Sequence, residues 1–296
     1  MRIGFAVPVS GSWATPGNMA RVATRAEELG YHEVWTFQRL LYPVGHTMGS
    51  SYRSVQDPIV TLSYVAGSTS RIQLGVAVLN LPFYSPAMLA KQLASLQIVS
   101  GGRLDVGVGL GWVEEEFAAS AVPMERRGKR AEEYVQLLRK LWTEDPVEHK
   151  GEFYALPPVH QDPKPAPVPP ILMGGAAPVA LRRAGRLADG WISSSRMDLS
   201  RLHEQISIVK ESAREAGRDP GALRFICRGV TRPGSDSSAP LAGSYDKIRE
   251  DVAALAEQGV TEVFHDLNFN PEFGSVDADP VASMRRAEEA LEALKP

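Results

Sequence analysis

Leu89–Trp112 constrains the fold of this chain more than any other segment. Leu89, Leu93 and Leu96 recur about one helical turn apart and predict an amphipathic helix. Gly101-Gly102 ends that helix, because glycine enters left-handed conformations without steric cost. Leu104–Val108 is too short for another helix and reads as a strand covered on both faces. Gly107, Gly109 and Gly111 then remove side chains where the strand opens into a loop. Main chain bared at a strand end lets a flat ligand approach it closely. The segment is therefore a fold signal and a site signal together.

The same strand-then-helix rhythm runs from end to end. Strands are predicted at Ile3–Val7, Glu33–Phe37, Ile72–Leu79, Leu104–Val108, Pro170–Met173, Gly190–Ser193, Arg224–Val230 and Glu262–Leu267. Helices follow near Gly17–Leu29, Pro58–Gly67, Pro86–Val99, up to Trp142, then Val179–Leu187, Leu199–Ala216, Tyr245–Gln258 and Pro280–Leu294. Asp57-Pro58 and Ser85-Pro86 each set a capping side chain before a proline at the first helical position. Tyr134, Leu137, Leu138, Leu141 and Trp142 form a helical stripe that reads as core. Eight strand–helix units are the number that closes a (β/α)8 TIM barrel, with an open doubly wound sheet as the alternative. Residues 1–296 then make a single domain with insertions near 40–56 and 145–170. The second is proline-rich and alternates over Val147–Leu156 as a short hairpin would; the first would cap the barrel mouth. Ser235–Ala242 is a small polar loop after the seventh strand.

Composition narrows the class. A chain of 296 residues with 44% hydrophobic and 23% charged residues can bury a large core and matches a soluble globular protein. A net charge of −3 argues against nucleic acid or an anionic membrane as partner. Cys227, the one cysteine, falls inside a predicted strand and reads as an inert core thiol. The apolar run at Met1–Pro8 is too short for a signal peptide, and no window reaches the roughly 18 apolar residues of a membrane span. A cytoplasmic protein is expected.

Barrels bind ligands at the carboxyl ends of their strands. That rule selects Pro8, Gln38-Arg39, Leu79-Asn80, Gly109–Trp112, Gly174-Gly175, Ser193–Ser195, Arg228 and Asp266–Asn268. Such a lining, rich in glycine, serine and amides, suits an organic cofactor better than a hydrolytic centre. Gly174-Gly175, between a strand and a helix, reads either as turn glycines or, with the helix dipole and Ser193–Ser195, as a phosphate site. Gly107-x-Gly-x-Gly111 lacks the spacing of a dinucleotide fingerprint, and no Walker lysine is present. The six histidines show no ligand spacing, so no metal is expected. Glu114–Glu116 suits a first helical turn, although one of the three could face the pocket. Arg126-Arg127 and Lys129-Arg130 read as a solvated face.

Leu89–Trp112, supported by Gly128–Trp142, Pro170–Gly175, Arg182-Arg183 and Ala188–Trp191, resembles the bacterial luciferase-like monooxygenase superfamily in its coenzyme F420-dependent branch. The resemblance implies a (β/α)8 barrel, usually dimeric, with a flavin or deazaflavin across its mouth. It implies phosphate contacts from Gly174, Gly175 and Ser194, a non-prolyl cis peptide at Ala77–Val78 backing the ring, and a ring pocket shaped by Gln38, Asn80, Gly109 and Trp112. Arg39 would pair with an anionic cofactor tail or substrate. Many F420-dependent dehydrogenases carry Asp-His where this chain has Gln38-Arg39, and some carry a glutamate where it has Trp112. The acid–base pair for alcohol or sugar-phosphate oxidation is thus missing. What remains is a reductase or monooxygenase, with His46 and Tyr42 as loop proton donors. The expected function is hydride transfer between F420 and a small organic substrate. The alternatives are an FMN-dependent monooxygenase fed by a separate reductase, and a non-catalytic flavin- or F420-binding protein.

Overall fold

The computed structural model describes residues 1–296. Eight parallel strands close a barrel: β1 (Arg2–Ala6), β2 (Glu33–Thr36), β3 (Gln73–Asn80), β4 (Leu104–Gly109), β5 (Ile171–Gly174), β6 (Gly190–Ile192), β7 (Arg224–Val230) and β8 (Glu262–Asp266). They pair in sequence order, and β8 closes on β1 through partners such as Gly4 and Phe264. Helices α1 (Pro16–Glu28), α2 (Pro58–Ser68), α3 (Pro86–Val99), α4 (Arg127–Thr143), α5 (Pro178–Leu187), α6 (Leu202–Glu215), α7 (Tyr245–Glu257) and α8 (Pro280–Ala293) cover the outside. The fold is the (β/α)8 barrel that eight units required. No helix is long and apolar enough to cross a membrane.

Local chemistry fixes the helix starts. Thr15, Asp57, Ser85 and Asp279 each accept a backbone N–H from the first turn, and each is followed by proline, whose missing N–H costs nothing there. On α3, Leu89, Leu93 and Leu96 are buried against the barrel as their spacing predicts. Burial of one such side chain contributes about 2 kcal/mol. The stripe from Tyr134 to Trp142 on α4 is also core, and the Trp142 indole donates to the Ala90 carbonyl at 3.1 Å. The Val147–Lys150 and Ala155–Val159 hairpin is held by Glu133, which accepts N–H groups from Glu152, Phe153 and Tyr154.

The barrel interior is a small plug of Ala6, Trp35, Ala77, Leu172, Ile192, Ile226 and Phe264, with Trp35 stacked on Phe264 at 4.9 Å. Below it, at the strand starts, Arg224 binds Glu262 at 2.6 Å and also pairs with Asp105, and Glu33 is buried beside them. Burial and the neighbouring Asp105 carboxylate hold the Glu33 carboxyl well above the usual range. These charged side chains fill the amino-terminal end of the barrel. Cys227 is fully buried, and burial pushes its thiol up to about 12. It is the inert residue its strand position suggested.

Candidate active site

A cleft of about 520 Å³ opens at the carboxyl ends of the strands. Gln38, Arg39, Ala77, Val78, Asn80, Gly109, Trp112, Gly174, Gly175 and Ser194 all line it. Strand β3 shapes one wall. The Ala77–Val78 peptide is cis, and the pairing of β3 with β4 shifts register between Val76 and Leu79. This bulge explains the glycines of β4 differently from their sequence reading. A Cβ on Gly107 would lie 2.0 Å from the Val76 carbonyl oxygen, and one on Gly109 would lie 2.5 Å from Val78 Cγ2. At these two positions the missing side chains make room for β3 itself, while Gly109 and Gly111 also border the cleft, as their place at the strand end predicts.

Amides and an arginine lock the wall. Gln38 donates to the Tyr84 hydroxyl and accepts the Asn80 N–H at 2.8 Å; Asn80 Oδ1 accepts the Gly111 N–H at 3.0 Å. Arg228 donates to the Ala77 carbonyl at 2.9 Å and to Asp266 at 2.8 Å, its guanidinium lying over the rings of Phe37 and Phe269. Asp266 is buried and cancels the Arg228 charge.

Arg39 does not point a free charge at a ligand. Its Nη1 lies 2.7 Å from Glu116, and both side chains are nearly inaccessible, at 5% and 0% exposure. Glu116 also accepts the N–H groups of Leu40 and Leu41 at 2.7 and 3.0 Å. The pair straps the loop after β2 to the short helix Glu114–Ala119. Of the three glutamates, Glu116 faces inward. The Arg39 guanidinium lies 4.8 Å from both the Tyr52 and Trp112 rings, so its faces build an aromatic wall.

The loop donors are also redistributed. The Tyr42 hydroxyl donates to the Met48 carbonyl at 2.8 Å, and His46 Nδ1 accepts the Met48 N–H at 3.0 Å. A long irregular loop has to satisfy its own backbone groups, and these two side chains do that. His46 reaches the rim only through Trp112, edge-on at 6.0 Å, and neither His46 nor Tyr42 lines the cleft. Tyr52, from the same loop, does line it, with its hydroxyl 3.5 Å from Ser195 Oγ.

The far end of the cleft is basic. Trp191 donates to the Gly175 carbonyl at 2.8 Å and sets the loop that opens α5. Gly175 has φ +135°, and a Cβ there would lie 2.6 Å from that of Ala180. The residue before Pro178 is Ala177, which has no side-chain acceptor for the first helical N–H groups. Pro178 has no N–H, and the Ala180 and Leu181 N–H groups donate to the Ala177 carbonyl at 2.8 and 3.0 Å, so the Val179 N–H and the helix dipole are what this turn presents to the cleft. Arg126, Arg127 and Arg183 line the same end. Arg126 pairs with Glu152 and Arg183 with Glu132, whereas no carboxylate lies within ion-pair distance of Arg127. The basic run that read as solvated thus contributes to the cleft. Only the fold shows which of these arginines has a carboxylate partner and which has none.

A closed parallel barrel whose main cleft is amide-locked at one end and basic at the other suits an extended organic ligand with an anionic end. The chain belongs to the luciferase-like monooxygenase family, which matches residues 2–249. An uncharacterized protein of Mycobacterium tuberculosis is 32% identical over 280 residues, spanning 87% of this chain and 97% of that protein. A Kineococcus radiotolerans protein named F420-dependent glucose-6-phosphate dehydrogenase is 29% identical over 296 residues, covering 98% of this chain and 80% of its own. Among solved structures, an F420-dependent secondary alcohol dehydrogenase in complex with an F420–acetone adduct superposes with a TM-score of 0.82. It is 18% identical and covers 100% of this chain and 99% of its own, a likeness of fold.

Proposed function

We propose that this protein is an F420-dependent oxidoreductase that reduces a small organic substrate. The observation carrying this reading is the polarity of the cleft: apolar at Val78, basic where α5 begins. The similarity to a named F420-dependent dehydrogenase along nearly the whole chain supports the choice of cofactor. The residues fit such a group. Arg127, Ser194 and the Val179 N–H at the start of α5 would hold its phosphate, and Val78 and Gly109 would back its ring. When bound, the deazaflavin supplies the hydride. The protein's own part is to orient substrate against the ring, exclude water with the Trp112–Arg39–Tyr52 wall, and provide a proton. Tyr52 is the phenol facing the cleft and takes the donor role that His46 and Tyr42 were expected to fill. The Asp-His pair of many relatives is absent at Gln38-Arg39, which favours reduction over alcohol oxidation. Pairing of two copies belongs to the same proposal, with exposed Val60 and Tyr64 on α2 and Met88 on α3 as its apolar face. Sedimentation equilibrium checks that part.

Titration with F420 and with FMN, followed by fluorescence, tests the cofactor. F420 is expected to bind in the micromolar range or tighter, and Arg127→Gln to weaken it at least tenfold. Tight FMN binding without F420 binding would transfer the reading to a two-component monooxygenase. Failure of both to bind would remove it.

A further inference from the structure

A second pocket, about 230 Å³ in volume, opens beside the cleft at the ends of β6 and β7. Ser195 and Arg228 line both spaces, so a single molecule can extend from one into the other. Its walls mix apolar groups, from Met197, Leu199, Val230 and the loop at Ala239-Pro240, with the polar Ser195, Asp198, Arg228 and Arg232. Arg228 carries no net charge to offer, because Asp266 cancels it. Asp198, the one carboxylate in the lining, accepts the Ser200 N–H and hydroxyl at 3.0 and 2.7 Å, capping a short 3-10 turn. Arg232 differs. It lies half-buried, no carboxylate stands within ion-pair distance, and its side chain makes no hydrogen bond. Asp198 shares the lining but lies beyond ion-pair distance, so Arg232 is a half-buried guanidinium without a carboxylate partner, and such a group selects an acid.

Resting on the oxidoreductase reading above, we infer that the second pocket takes the acidic end of the substrate. The substrate class is a small organic acid, a carboxylate or phosphate on an apolar body. Arg232 meets the anion, and Met197 and Leu199 contact the hydrocarbon. The rest of the molecule extends past Ser195 into the cleft, towards Tyr52. Arg232 is a binding and specificity residue in this scheme and takes no part in hydride transfer.

Isothermal titration of the full-length protein with 4-phenylbutyrate and with its neutral amide tests the assignment, with F420 affinity measured in parallel. The acid should bind at least tenfold more tightly than the amide. Arg232→Gln should erase that preference and leave F420 affinity within twofold, and Arg232→Lys should retain most of it. The Arg232 side chain has no partner in the fold, so thermal melts of both variants should match the parent. Equal affinity for acid and amide, or binding of neither, overturns the proposal. A loss of F420 affinity in Arg232→Gln overturns it too, because the arginine then serves the anionic tail of the cofactor. Should neither F420 nor FMN bind while the acid preference persists, the pocket assignment stands and the cofactor reading falls.

Discussion

Glu116→Gln removes the counter-charge from a buried guanidinium while keeping the size of the side chain. In the folded protein Arg39 and Glu116 are 2.7 Å apart, with 5% and 0% of their side chains exposed. The carbonyl oxygen of the introduced amide can still accept the Leu40 or Leu41 N–H, so the substitution isolates the charge. Breaking one half of a buried ion pair costs about 3–5 kcal/mol. In a domain of this size that lowers Tm by roughly 5–8 °C. Replacing both partners, as Arg39→Met with Glu116→Gln, removes the stranded charge and should recover at least ~1.5 kcal/mol of the loss in Glu116→Gln. Urea unfolding of the parent, both single variants and the double variant closes the cycle. F420 affinity of the double variant should change far less than that of Arg127→Gln. Additive losses would refute the reasoning, since Arg39 would then hold its charge independently of Glu116 and be available to a ligand.

Three further outcomes follow from the same geometry. Gly107→Ala drives a Cβ to 2.0 Å from the Val76 carbonyl and should cost about 3 kcal/mol or more in urea unfolding; Gly109→Ala, 2.5 Å from a movable Val78 methyl, should cost about 1–3 kcal/mol and weaken F420 binding by pushing Val78 towards the cleft. Burial lowers the His265 imidazole to about 4, so its contribution is complete above pH 6.5 and is lost as pH falls towards 4, about 3 kcal/mol in all; His265→Asn should shrink the acid-induced drop in Tm accordingly. Glu33 is shifted the opposite way for a carboxyl: burial and Asp105 keep it protonated in the fold, so stability declines as pH rises above its ordinary value of 4.5. Glu33→Gln, a neutral mimic, should therefore raise Tm at pH 8 and leave it nearly unchanged at pH 4.

The barrel was legible because every unit declares itself locally. Ser85 and Pro86 open α3, Leu89, Leu93 and Leu96 face the barrel, and the strand that follows lies buried on both faces. Predicted boundaries fall within about two residues of those observed, since caps and prolines are short-range signals. The hairpin after α4 was likewise visible in its alternation. Where the reading departs from the structure, a distant partner decides. Gly109 and Gly111 do border the cleft as a ligand seat would, but at Gly107 and Gly109 the neighbouring strand, at Val76 and Val78, also claims the room the missing side chains leave. Nothing within β4 encodes that bulge.

The site shows the same division more sharply. Strand ends were enough to find Gln38, Asn80, Gly109, Gly174 and Ser194, because barrel topology fixes where they point. Charge bookkeeping was not available from one dimension. Arg39 and Arg127 look alike in the sequence, yet Glu116, remote in the chain, neutralises the first and no acid reaches the second. Arg232 belongs with Arg127 in this respect: an arginine becomes informative only once every acid near it has been accounted for. The loop after β2 makes the point for proton donors. Tyr42, His46 and Tyr52 share one loop, but the first two are consumed by its own Met48 backbone, which leaves Tyr52 to face the ligand. If Tyr52 is the proton source, Tyr52→Phe should lower kcat for a reduced product at least tenfold with F420 affinity unchanged, whereas His46→Gln should not. A full rate in Tyr52→Phe would return the role to solvent.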